Sequence, residues 1–364
     1  MDAVHSPGLV AVILAGGAGT RFWPLSTEGR PKQLLRLLDD RSLLRMSLER
    51  LDGMVEPGRV LVFTSSKMVS LVAQELPELP RENILGEPMR RDTAAAVCLA
   101  ALACRRRFGE SVMAVLTADH LIHPVGEFQE SLASAARAAR DSGALYTFGV
   151  PPTHPATGYG YLEVGEELFQ EGGVRHFRIL RFREKPDLET AKMYLQSNRF
   201  MWNSGMFVWT TQAILEEMER HLPHHLQELT RAMEQWGGPA WPGALARAFE
   251  SLESVSVDYG VMEKAGEIRC VVGSWQWRDV GGWPAMMELL PRDEHGNAAR
   301  GRLFTQDSRD NLVFCEDPGE SIALVGVEGL VVVRAGQRTL VTRLDKAENI
   351  KALVQRFKKE LDGS

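Results

Sequence analysis

The residues with the clearest chemical potential are three glycines followed by a cation. Gly16, Gly17 and Gly19 stand just before Arg21 in the stretch LAGGAGTRFWPLS, which begins at residue 14. A turn with so little side-chain bulk lets backbone N–H groups approach an anion closely, and an arginine adds a planar cation that matches phosphate oxygens. We interpret the stretch as a phosphate-binding loop; the alternative is a tight turn with a surface arginine.

The two best-known glycine-loop patterns do not fit this stretch. The GKS or GKT ending of a Walker A loop is absent, and a dinucleotide-binding GxGxxG pattern counted from Gly17 would need a glycine at Phe22. The spacing therefore excludes the common dehydrogenase fingerprint. Thr20 adds a hydroxyl donor to the loop, and Lys32 in the following PKQ could reach the same phosphates, although a lone lysine is more often a solvated surface residue.

Regular alternation of apolar runs and helical patterns surrounds the loop. The apolar runs predict buried strands at Leu9–Leu14, Val60–Phe63, Val112–Leu116 and Tyr146–Val150. Helical patterns lie between them, at Ser42–Leu51, Lys67–Leu76, Thr93–Arg106 and Phe128–Arg140. This order indicates an α/β fold with a mostly parallel sheet covered by helices, in which ligands bind beyond the carboxyl ends of the strands.

The pattern changes after about residue 150. GYGYLEV, VRHFRILRFREKP and MWNSGMFVW alternate like antiparallel strands, helices are expected at Thr211–His221 and Leu226–Glu234, and QWGGPAWPG is typical of a loop. A tail of short strands is predicted at Asn311–Cys315, Ile322–Val327, Leu330–Val333 and Thr339–Thr342, before a helix over Lys346–Lys358 with Asp345 as its N-cap. The apolar tail strands fit a homodimer interface or a small core, and the sequence does not decide between them.

The composition excludes several classes of function. The 364 residues carry a formal net charge of −6, which argues against general nucleic-acid binding. Apolar stretches are far shorter than the roughly 20 residues of a membrane helix, and the N-terminus lacks the layout of a signal peptide. We expect a cytoplasmic protein with no membrane partner. The four cysteines form no CxxC pair, so buried free thiols are expected.

The loop and the segment after it carry a family resemblance. LAGGAGTRFWPLS followed by RPKQLL resembles the signature of sugar-1-phosphate nucleotidyltransferases, and Trp23-Pro24-Leu25-Ser26 is most similar to the mannose-1-phosphate guanylyltransferases among them. The resemblance implies a Rossmann-like nucleotidyltransferase fold and a reaction in which GTP and mannose 1-phosphate give GDP-mannose and pyrophosphate. It implies nucleotide contacts at Leu14, Ala15, Gly16, Gly17, Gly19, Thr20, Arg21, Lys32, Arg91 and Thr93.

Two further motifs resemble the metal-binding segments of that family. Asp119 lies in TADH, directly after a predicted strand, and Asp279 lies in WRDVGGW. By this resemblance the two carboxylates hold Mg²⁺, which binds through one or two carboxylates and leaves its other positions to phosphates and water. Asp92, in RRDTAA, stands where the family usually has asparagine, so a helix N-cap is as good an interpretation as ligand contact.

The second half resembles the sugar-binding part of the family. TGYGY, FREKP and WNSGM carry the implied sugar contacts, which are Gly158, Tyr159, Gly160, Glu184, Lys185 and Asn203. Glu184 would accept hydrogen bonds from sugar hydroxyls, and Lys185 would neutralise the sugar phosphate. Asp258, in the family-like SVDYGVMEK, is open between a sugar-site role and a helix cap.

The resemblance divides the chain into a catalytic domain over residues 1–290 and a β-rich domain over 291–364. The nucleotide part of the first would span about 1–150 and the sugar part about 151–290. Arg21, Lys32 and Lys185 are the expected catalytic residues, acting through charge because a phosphate monoester is already anionic near neutral pH. We expect a single activity. The alternatives are a transferase for another nucleotide or hexose 1-phosphate, such as glucose 1-phosphate, and a non-catalytic subunit that binds a nucleotide sugar.

Overall fold

The structure is a computed structural model that describes residues 8–17, 19–357 and 360. Seventeen strands appear among those residues. In chain order they are β1 Leu9–Leu14, β2 Val60–Ser65, β3 Ile84–Glu87, β4 Val112–Thr117, β5 His120–His123, β6 Leu145–Val150, β7 Gly160–Glu171, β8 Val174–Arg183, β9 Phe200–Thr210, β10 Ile268–Val272, β11 Gln276–Asp279, β12 Ala298–Arg300, β13 Arg302–Gln306, β14 Leu312–Cys315, β15 Ser321–Val325, β16 Leu330–Ala335 and β17 Arg338–Arg343.

Ten α-helices accompany the strands in the described residues. They are α1 Leu43–Glu49, α2 Val69–Glu75, α3 Asp92–Phe108, α4 Val125–Ser142, α5 Leu188–Ser197, α6 Thr211–His221, α7 Pro223–Met233, α8 Trp241–Ser251, α9 Trp283–Leu289 and α10 Ile350–Arg356. Single turns of 3-10 helix include Thr20–Phe22 and Lys32–Leu34, and Asp258–Met262 forms a π-helical turn. No helix in the described part of the chain has the length and apolarity needed to cross a membrane.

The chain divides into two compact units, neither of which is continuous in sequence. The sheet unit comprises residues 8–16, 47–118 and 122–277, and the tail unit comprises residues 17, 19–46, 119–121 and 278–357. The chain passes from one unit to the other directly after Gly16, inside the glycine loop. The residues that follow the loop therefore belong with the C-terminal strands.

A nine-stranded mixed sheet forms the sheet unit, in the order β3-β2-β1-β4-β9-β6-β10-β8-β7. Strands β8 and β9 run against the other seven, so the predicted mostly parallel sheet is confirmed. Strand β1 is completely buried from Leu9 to Ile13, as expected for a central strand covered on both faces. The antiparallel β9 lies between β4 and β6, where the sequence alone gives no sign of it.

Parallel strand pairs dominate the tail unit. Strands β12, β14 and β16 pair in parallel, β17 pairs antiparallel with β16, and β13 and β15 form a second parallel pair. A buried asparagine links successive turns, because Asn311 donates to the side chain of Asn297 (2.9 Å) and accepts from the backbone N–H of Leu330 (2.9 Å). The predicted β-rich C-terminal region is confirmed.

An aromatic core joins the start of the chain to this tail. Phe22 and Phe314 each lie 5.1 Å from Trp283, ring centre to ring centre, and the indole N–H of Trp283 donates to the carbonyl of Trp23 (3.1 Å). The WPLS and WRDVGGW motifs are therefore packing partners. This packing fixes the segment after the glycine loop against the segment that carries Asp279.

Two predictions about local structure are wrong. Part of QWGGPAWPG, predicted as a loop, is the first turn of α8, where a proline at the second position is tolerated because its missing N–H has no helical partner there. Asp345 caps no helix; it lies inside a 3-10 turn over Leu344–Asn349 and pairs with Arg343, while the α-helix begins only at Ile350. The predicted end of that helix, Lys358, lies outside the described residues. The expected buried free cysteines are confirmed at all four positions.

Candidate active site

Backbone conformation explains why Gly17 and Gly19 are glycines, and close packing is a second reason at Gly19. Gly17 and Gly19 adopt φ values of +135° and +58°, a region that residues with a Cβ rarely enter. Gly19 also packs against Lys32, since a Cβ added there would approach the backbone nitrogen of Lys32 to 2.8 Å. Ser26 closes the turn by donating to the Gly19 carbonyl (2.6 Å). The loop is thus built around Lys32.

The guanidinium of Arg21 is held by the segment that follows Asp279. Its Nη1 donates to the Gly281 carbonyl (2.9 Å), and its Nε lies 3.5 Å from the Glu348 carboxylate. The Arg21 side chain remains 44% exposed, so its remaining donors are accessible to an anion. The tail unit therefore positions a cation at the glycine loop.

Lys32 lies between two carboxylates that are far apart in sequence. Its Nζ lies 2.7 Å from Asp119 Oδ2 and 3.3 Å from Asp279 Oδ1, and the whole residue is only 8% exposed. His120 Nε2 lies 3.8 Å from Asp119 Oδ1 and 3.9 Å from Asp279 Oδ1. We call Arg21, Lys32, Asp119 and Asp279 the tail cluster.

Strand ends bring the two aspartates together. Asp119 lies between the end of β4 and the start of β5, and Asp279 is the last residue of β11. Strands β5 and β11 pair in a two-stranded sheet, which brings the two segments side by side. Pairing of two short strands thus explains how residues from two distant motifs reach the same ammonium.

Asp119 and Asp279 are the two carboxylates of the tail cluster that could hold a cation. Burial alone would raise the pKa of Asp119, but the Lys32 ammonium, with His120 beside it, holds that pKa below its usual range. Both aspartates contact a single cation, so the position of Lys32 Nζ marks a place where positive charge is stabilised. No group of three or more metal-ligating side chains occurs in the described residues, so any ion held here would take at most these two carboxylates from the protein and its other ligands from substrate or water.

A second cluster lies in the sheet unit, at strands β7, β8 and β9. We call Glu184, Lys185, Asn203 and Asp258 the sheet cluster. Lys185 Nζ pairs with Glu184 Oε1 (2.9 Å), and this pair raises the lysine pKa against the opposing effect of burial. The other carboxylate oxygen, Glu184 Oε2, is buried with no hydrogen-bond partner within the described structure. A buried oxygen of this kind needs a donor, which a ligand hydroxyl would supply.

Asn203 is oriented from both sides of its amide. Thr147 Oγ1 donates to Asn203 Oδ1 (2.8 Å), and Asn203 Nδ2 donates to Asp258 Oδ1 (3.0 Å). Burial, with Glu184 nearby, raises the pKa of Asp258 to about 7. Asp258 does not cap its helical turn, whose preceding residue is Val257. The structure therefore places Asp258 in the sheet cluster, as the residue that fixes Asn203.

Gly160 is a glycine because the sheet cluster packs over it. A Cβ there would lie 3.2 Å from Asn203 Cβ and closer still to Glu184 Oε2. Its neighbour Tyr159 packs edge-on against Trp202 (5.1 Å) and Trp277 (5.2 Å), ring centre to ring centre. Gly158 has open space around its Cα. Glu184 and Asn203 thus pack around Gly160, next to Tyr159 and its two aromatic neighbours, and sugar contact by these residues remains a prediction.

Glu87, which the sequence analysis did not single out, lies next to the end of β1. Leu14 and Ala15 are held in the sheet by backbone hydrogen bonds to Ala118 (3.2 Å) and Phe63 (2.7 Å). Gly16 faces Glu87, whose Oε2 lies 3.9 Å from the position of an added Cβ. Burial, with the Asp92 carboxylate nearby, raises the pKa of Glu87 to about 7. No sequence signal pointed to Glu87, because β3, the short strand that ends at this residue, was not predicted.

The remaining predicted nucleotide residues are tied to their own unit. Arg91 donates through Nε to the Phe249 carbonyl (2.6 Å), and Thr93 Oγ1 accepts from the Val257 N–H (2.9 Å). Asp92 has a φ of +61° and accepts from the N–H of Thr93 (2.8 Å). Asp92 is the first residue of α3, and the N-cap position before it is occupied by Arg91, so Asp92 is not the N-cap. Nucleotide contact by Arg91 and Thr93 remains a prediction.

Comparisons with known proteins identify the family of this chain. The nucleotidyl transferase family model matches residues 10–296, and a model described as a mannose-phosphate isomerase/GMP-like β-helix domain matches residues 301–357. A mannose-1-phosphate guanylyltransferase of Klebsiella pneumoniae is 36% identical over 353 residues, which are 96% of this chain and 74% of the relative. A xanthan biosynthesis protein, XanB, of Xanthomonas campestris is 36% identical over 96% of this chain and 73% of its own length.

A solved structure matches over nearly the whole chain. It is described as a mannose-1-phosphate geranyltransferase from Thermus thermophilus, and it superposes with a TM-score of 0.86 at 34% sequence identity. The match covers 96% of this chain and 99% of that chain. Fold and sequence thus lead to the same group of proteins.

Proposed function

This chain belongs to the nucleotidyl transferase family and is a nucleotidyltransferase, and we propose that it transfers GMP from GTP to mannose 1-phosphate. The products would be GDP-mannose and pyrophosphate. The observation that carries the proposal is the tail cluster, in which Lys32 Nζ contacts both Asp119 and Asp279. The relatives named mannose-1-phosphate guanylyltransferase support the choice of sugar.

The proposed reaction needs no catalytic base. An oxygen of the mannose 1-phosphate attacks the α-phosphorus of GTP in line, and the bond to the leaving pyrophosphate breaks. The second pKa of a phosphate monoester is about 6, so the nucleophile is already ionised at neutral pH. The barrier is repulsion between anions and charge growth on the leaving group, so catalysis comes from positioning and electrostatics.

Magnesium is the proposed metal, and Asp119 and Asp279 would hold it. When bound, it neutralises phosphate charge as a Lewis acid. Arg21 has exposed N–H donors for the leaving pyrophosphate. We propose that Lys32 also stabilises the negative charge of that leaving group. Two carboxylates on their own would repel anionic substrates, so these cations are essential to the phosphate site.

The sheet cluster is proposed to bind the mannose 1-phosphate. Lys185 would pair with its phosphate, while Glu184 Oε2 accepts from a hydroxyl that gives this buried oxygen its missing partner. Asn203, fixed by Thr147 and Asp258, would hydrogen-bond a second hydroxyl through the other N–H of its amide. A hydroxyl that satisfies buried polar groups is a strong basis for specificity, because an analogue without it leaves those groups unpaired.

Glu87 supports guanine as the base. An ionised carboxylate beside Gly16 can accept from N1–H and N2–H of guanine together, and the corresponding edges of adenine, cytosine and uracil do not offer this pair of donors. A bidentate contact of this kind, with one charged partner, is among the stronger hydrogen-bonding arrangements. We therefore assign nucleotide choice to Glu87 in addition to the glycine loop.

A pyrophosphate-release assay tests the proposal directly. The enzyme is incubated with each of the four nucleoside triphosphates in combination with either mannose 1-phosphate or glucose 1-phosphate. Each combination is measured once in magnesium and once in a chelator. We expect the highest kcat/KM for GTP with mannose 1-phosphate and no turnover in the chelator. A higher kcat/KM for another nucleotide and sugar phosphate would identify that pair as the substrates instead. Binding of GDP-mannose without turnover of any pair would favour a non-catalytic subunit.

A further inference from the structure

Lys32 is held in place by its backbone, not only by its charge. The residue lies in a 3-10 turn whose backbone packs on Gly19, where even one methyl group would not fit. The side chain extends from this fixed point to the two carboxylates, at 2.7 Å from Asp119 and 3.3 Å from Asp279. The protein thus provides a dedicated position for an ammonium between two carboxylates.

That position coincides with the place assigned to the metal. We propose that Lys32 is an internal counter-ion of the magnesium site: its ammonium holds Asp119 and Asp279 together in the metal-free protein and competes with Mg²⁺ for them. The inference rests on the proposed metal site. Two carboxylates that share one cation repel each other without it, and a second cation at the same oxygens would be repelled by the first.

The other active-site lysine shows what is special about Lys32. Lys185 pairs with a single carboxylate, Glu184, and its side chain is 53% exposed. The Lys32 side chain is 10% exposed and bridges two carboxylates. Lys185 can therefore meet an anion without leaving its partner, whereas Lys32 meets a phosphate only after it has left the carboxylates.

Displacement gives the site an order of events. The Lys32 ammonium would leave Asp119 and Asp279 when Mg²⁺ binds them, and it would then be available to phosphate oxygens of the nucleotide. Metal binding and phosphate binding would therefore favour each other, through one side chain that serves the carboxylates first and the phosphates afterwards.

Calorimetric titration with magnesium chloride alone, without nucleotide, tests the competition. We compare the wild type with Lys32→Met, which removes the charge at similar length, and with Lys32→Arg, which keeps it. We expect Lys32→Met to bind Mg²⁺ about tenfold more tightly, the scale of removing one nearby like charge, and Lys32→Arg to bind no more tightly than the wild type. Lys192→Met, which removes a charge from an exposed pair with Glu189, is the control and should match the wild type.

Equal or weaker magnesium binding by Lys32→Met would overturn the inference. Asp119→Asn and Asp279→Asn separate this result from failure of the metal site itself. If neither asparagine variant weakens binding, the proposed site is wrong. If both weaken it and Lys32→Met changes nothing, only the counter-ion role is wrong.

A measurement on the wild-type protein covers the case in which Lys32→Met does not fold. Reductive methylation followed by mass spectrometry reports how accessible each lysine amine is. We expect Lys32 to be protected in a chelator and to be modified at least threefold faster in saturating magnesium, while Lys192 is modified equally in both. Unchanged protection of Lys32 in magnesium would contradict displacement.

Discussion

The tail cluster and the sheet cluster fix their central polar group by different kinds of contact. In the tail cluster both described contacts of the Lys32 ammonium are ion pairs, and the members come from three separate segments of the chain. In the sheet cluster an amide is fixed between a hydroxyl and a carboxylate, and most members come from the paired strands β7, β8 and β9 or the residues just after them. The first arrangement suits changes of charge during a reaction, and the second suits recognition of hydroxyl groups.

This difference predicts which kinetic constant each cluster controls. Loss of a charge in the tail cluster should lower kcat, because the charge acts on the transition state. Loss of a hydrogen bond in the sheet cluster should mainly raise KM for the sugar phosphate.

Removal of one carboxylate of the tail cluster should have the largest effect. We expect Asp279→Asn to lower kcat about 10³-fold, because it removes a charge that would hold the metal and leaves Lys32 with one ionic partner. Steady-state pyrophosphate release over a magnesium series measures both the rate and the metal requirement. A normal rate at ordinary magnesium concentrations would remove Asp279 from the metal site.

Removal of the exposed cation should come next. We expect Arg21→Ala to lower kcat about 10²–10³-fold with a smaller change in KM for GTP, the scale of losing one preorganised charge donor. The same assay at saturating substrates checks it. Glu348→Gln is the matched control, since an exposed ion pair at 3.5 Å contributes little; a kcat loss as large as that of Arg21→Ala would show that the tail acts through this carboxylate.

Neutralising the buried carboxylate of the sheet cluster should affect the sugar selectively. We expect Glu184→Gln to raise KM for mannose 1-phosphate about 10–100-fold, because the buried oxygen that lacks a partner is replaced by an amide group. The KM for GTP should change less than threefold. An equal rise in both KM values would mean that the substitution disturbs the whole protein, and the division between the clusters would not hold.

Glu87 should make GTP binding depend on pH. Its pKa near 7 means that the carboxyl gains charge between pH 6 and pH 8, so KM for GTP should fall several-fold over that range as the guanine acceptor forms. Glu87→Gln should give a flat and weaker profile. Because the pKa of Glu87 is raised from its usual 4.5 to about 7, this residue lowers the folding stability progressively between pH 4.5 and pH 7, and the full cost remains above pH 7. Glu87→Gln should therefore raise the free energy of unfolding at pH 8 by about 1–3 kcal/mol and leave it unchanged below pH 4.5. A Glu87→Gln profile identical to that of the wild type would remove this residue from base recognition.

The smallest effect concerns the loop glycines. Gly19→Ala should lower the free energy of unfolding by about 1–3 kcal/mol, since its φ of +58° and its contact with Lys32 leave no room for a methyl group. Gly29→Ala, a glycine with open space and no positive φ, is the control and should be neutral. Chemical denaturation measures both. Equal stability of the two variants would show that Gly19 has no structural role.

Much of the fold could be predicted because it is local. Buried apolar runs predicted β1, β2, β4 and β6 to within two residues, and Thr211–His221 was predicted to the residue. The insertion of β9 between β4 and β6 is a long-range pairing that no periodicity reports. Helix α8 was missed because tryptophan, proline and glycine at its start are also loop residues, and tertiary packing decided between the two.

The candidate site was predicted through motifs, and the structure adds their physical reasons. The sequence indicated that Arg21, Lys32, Asp119 and Asp279 act together, but not that Trp283 packs on Phe22 to bring their segments into contact. Nor could spacing reveal that Lys32 lies between the aspartates, because side-chain direction depends on the turn at Gly19. The sequence left the role of Asp258 open and gave no signal for Glu87, since the contacts that single them out, with Asn203 and with Gly16, form only in the folded chain.

We propose that Asp119 and Asp279 hold one and the same ion, and a double-mutant cycle on the magnesium requirement tests whether they do. The concentration of magnesium that gives half-maximal pyrophosphate release is measured for the wild type, Asp119→Asn, Asp279→Asn and the double variant. If the two residues share an ion, each single variant raises that concentration strongly and the double variant raises it little further, because contacting groups are not additive. Independent effects that multiply in the double variant would show that the two carboxylates do not share a metal.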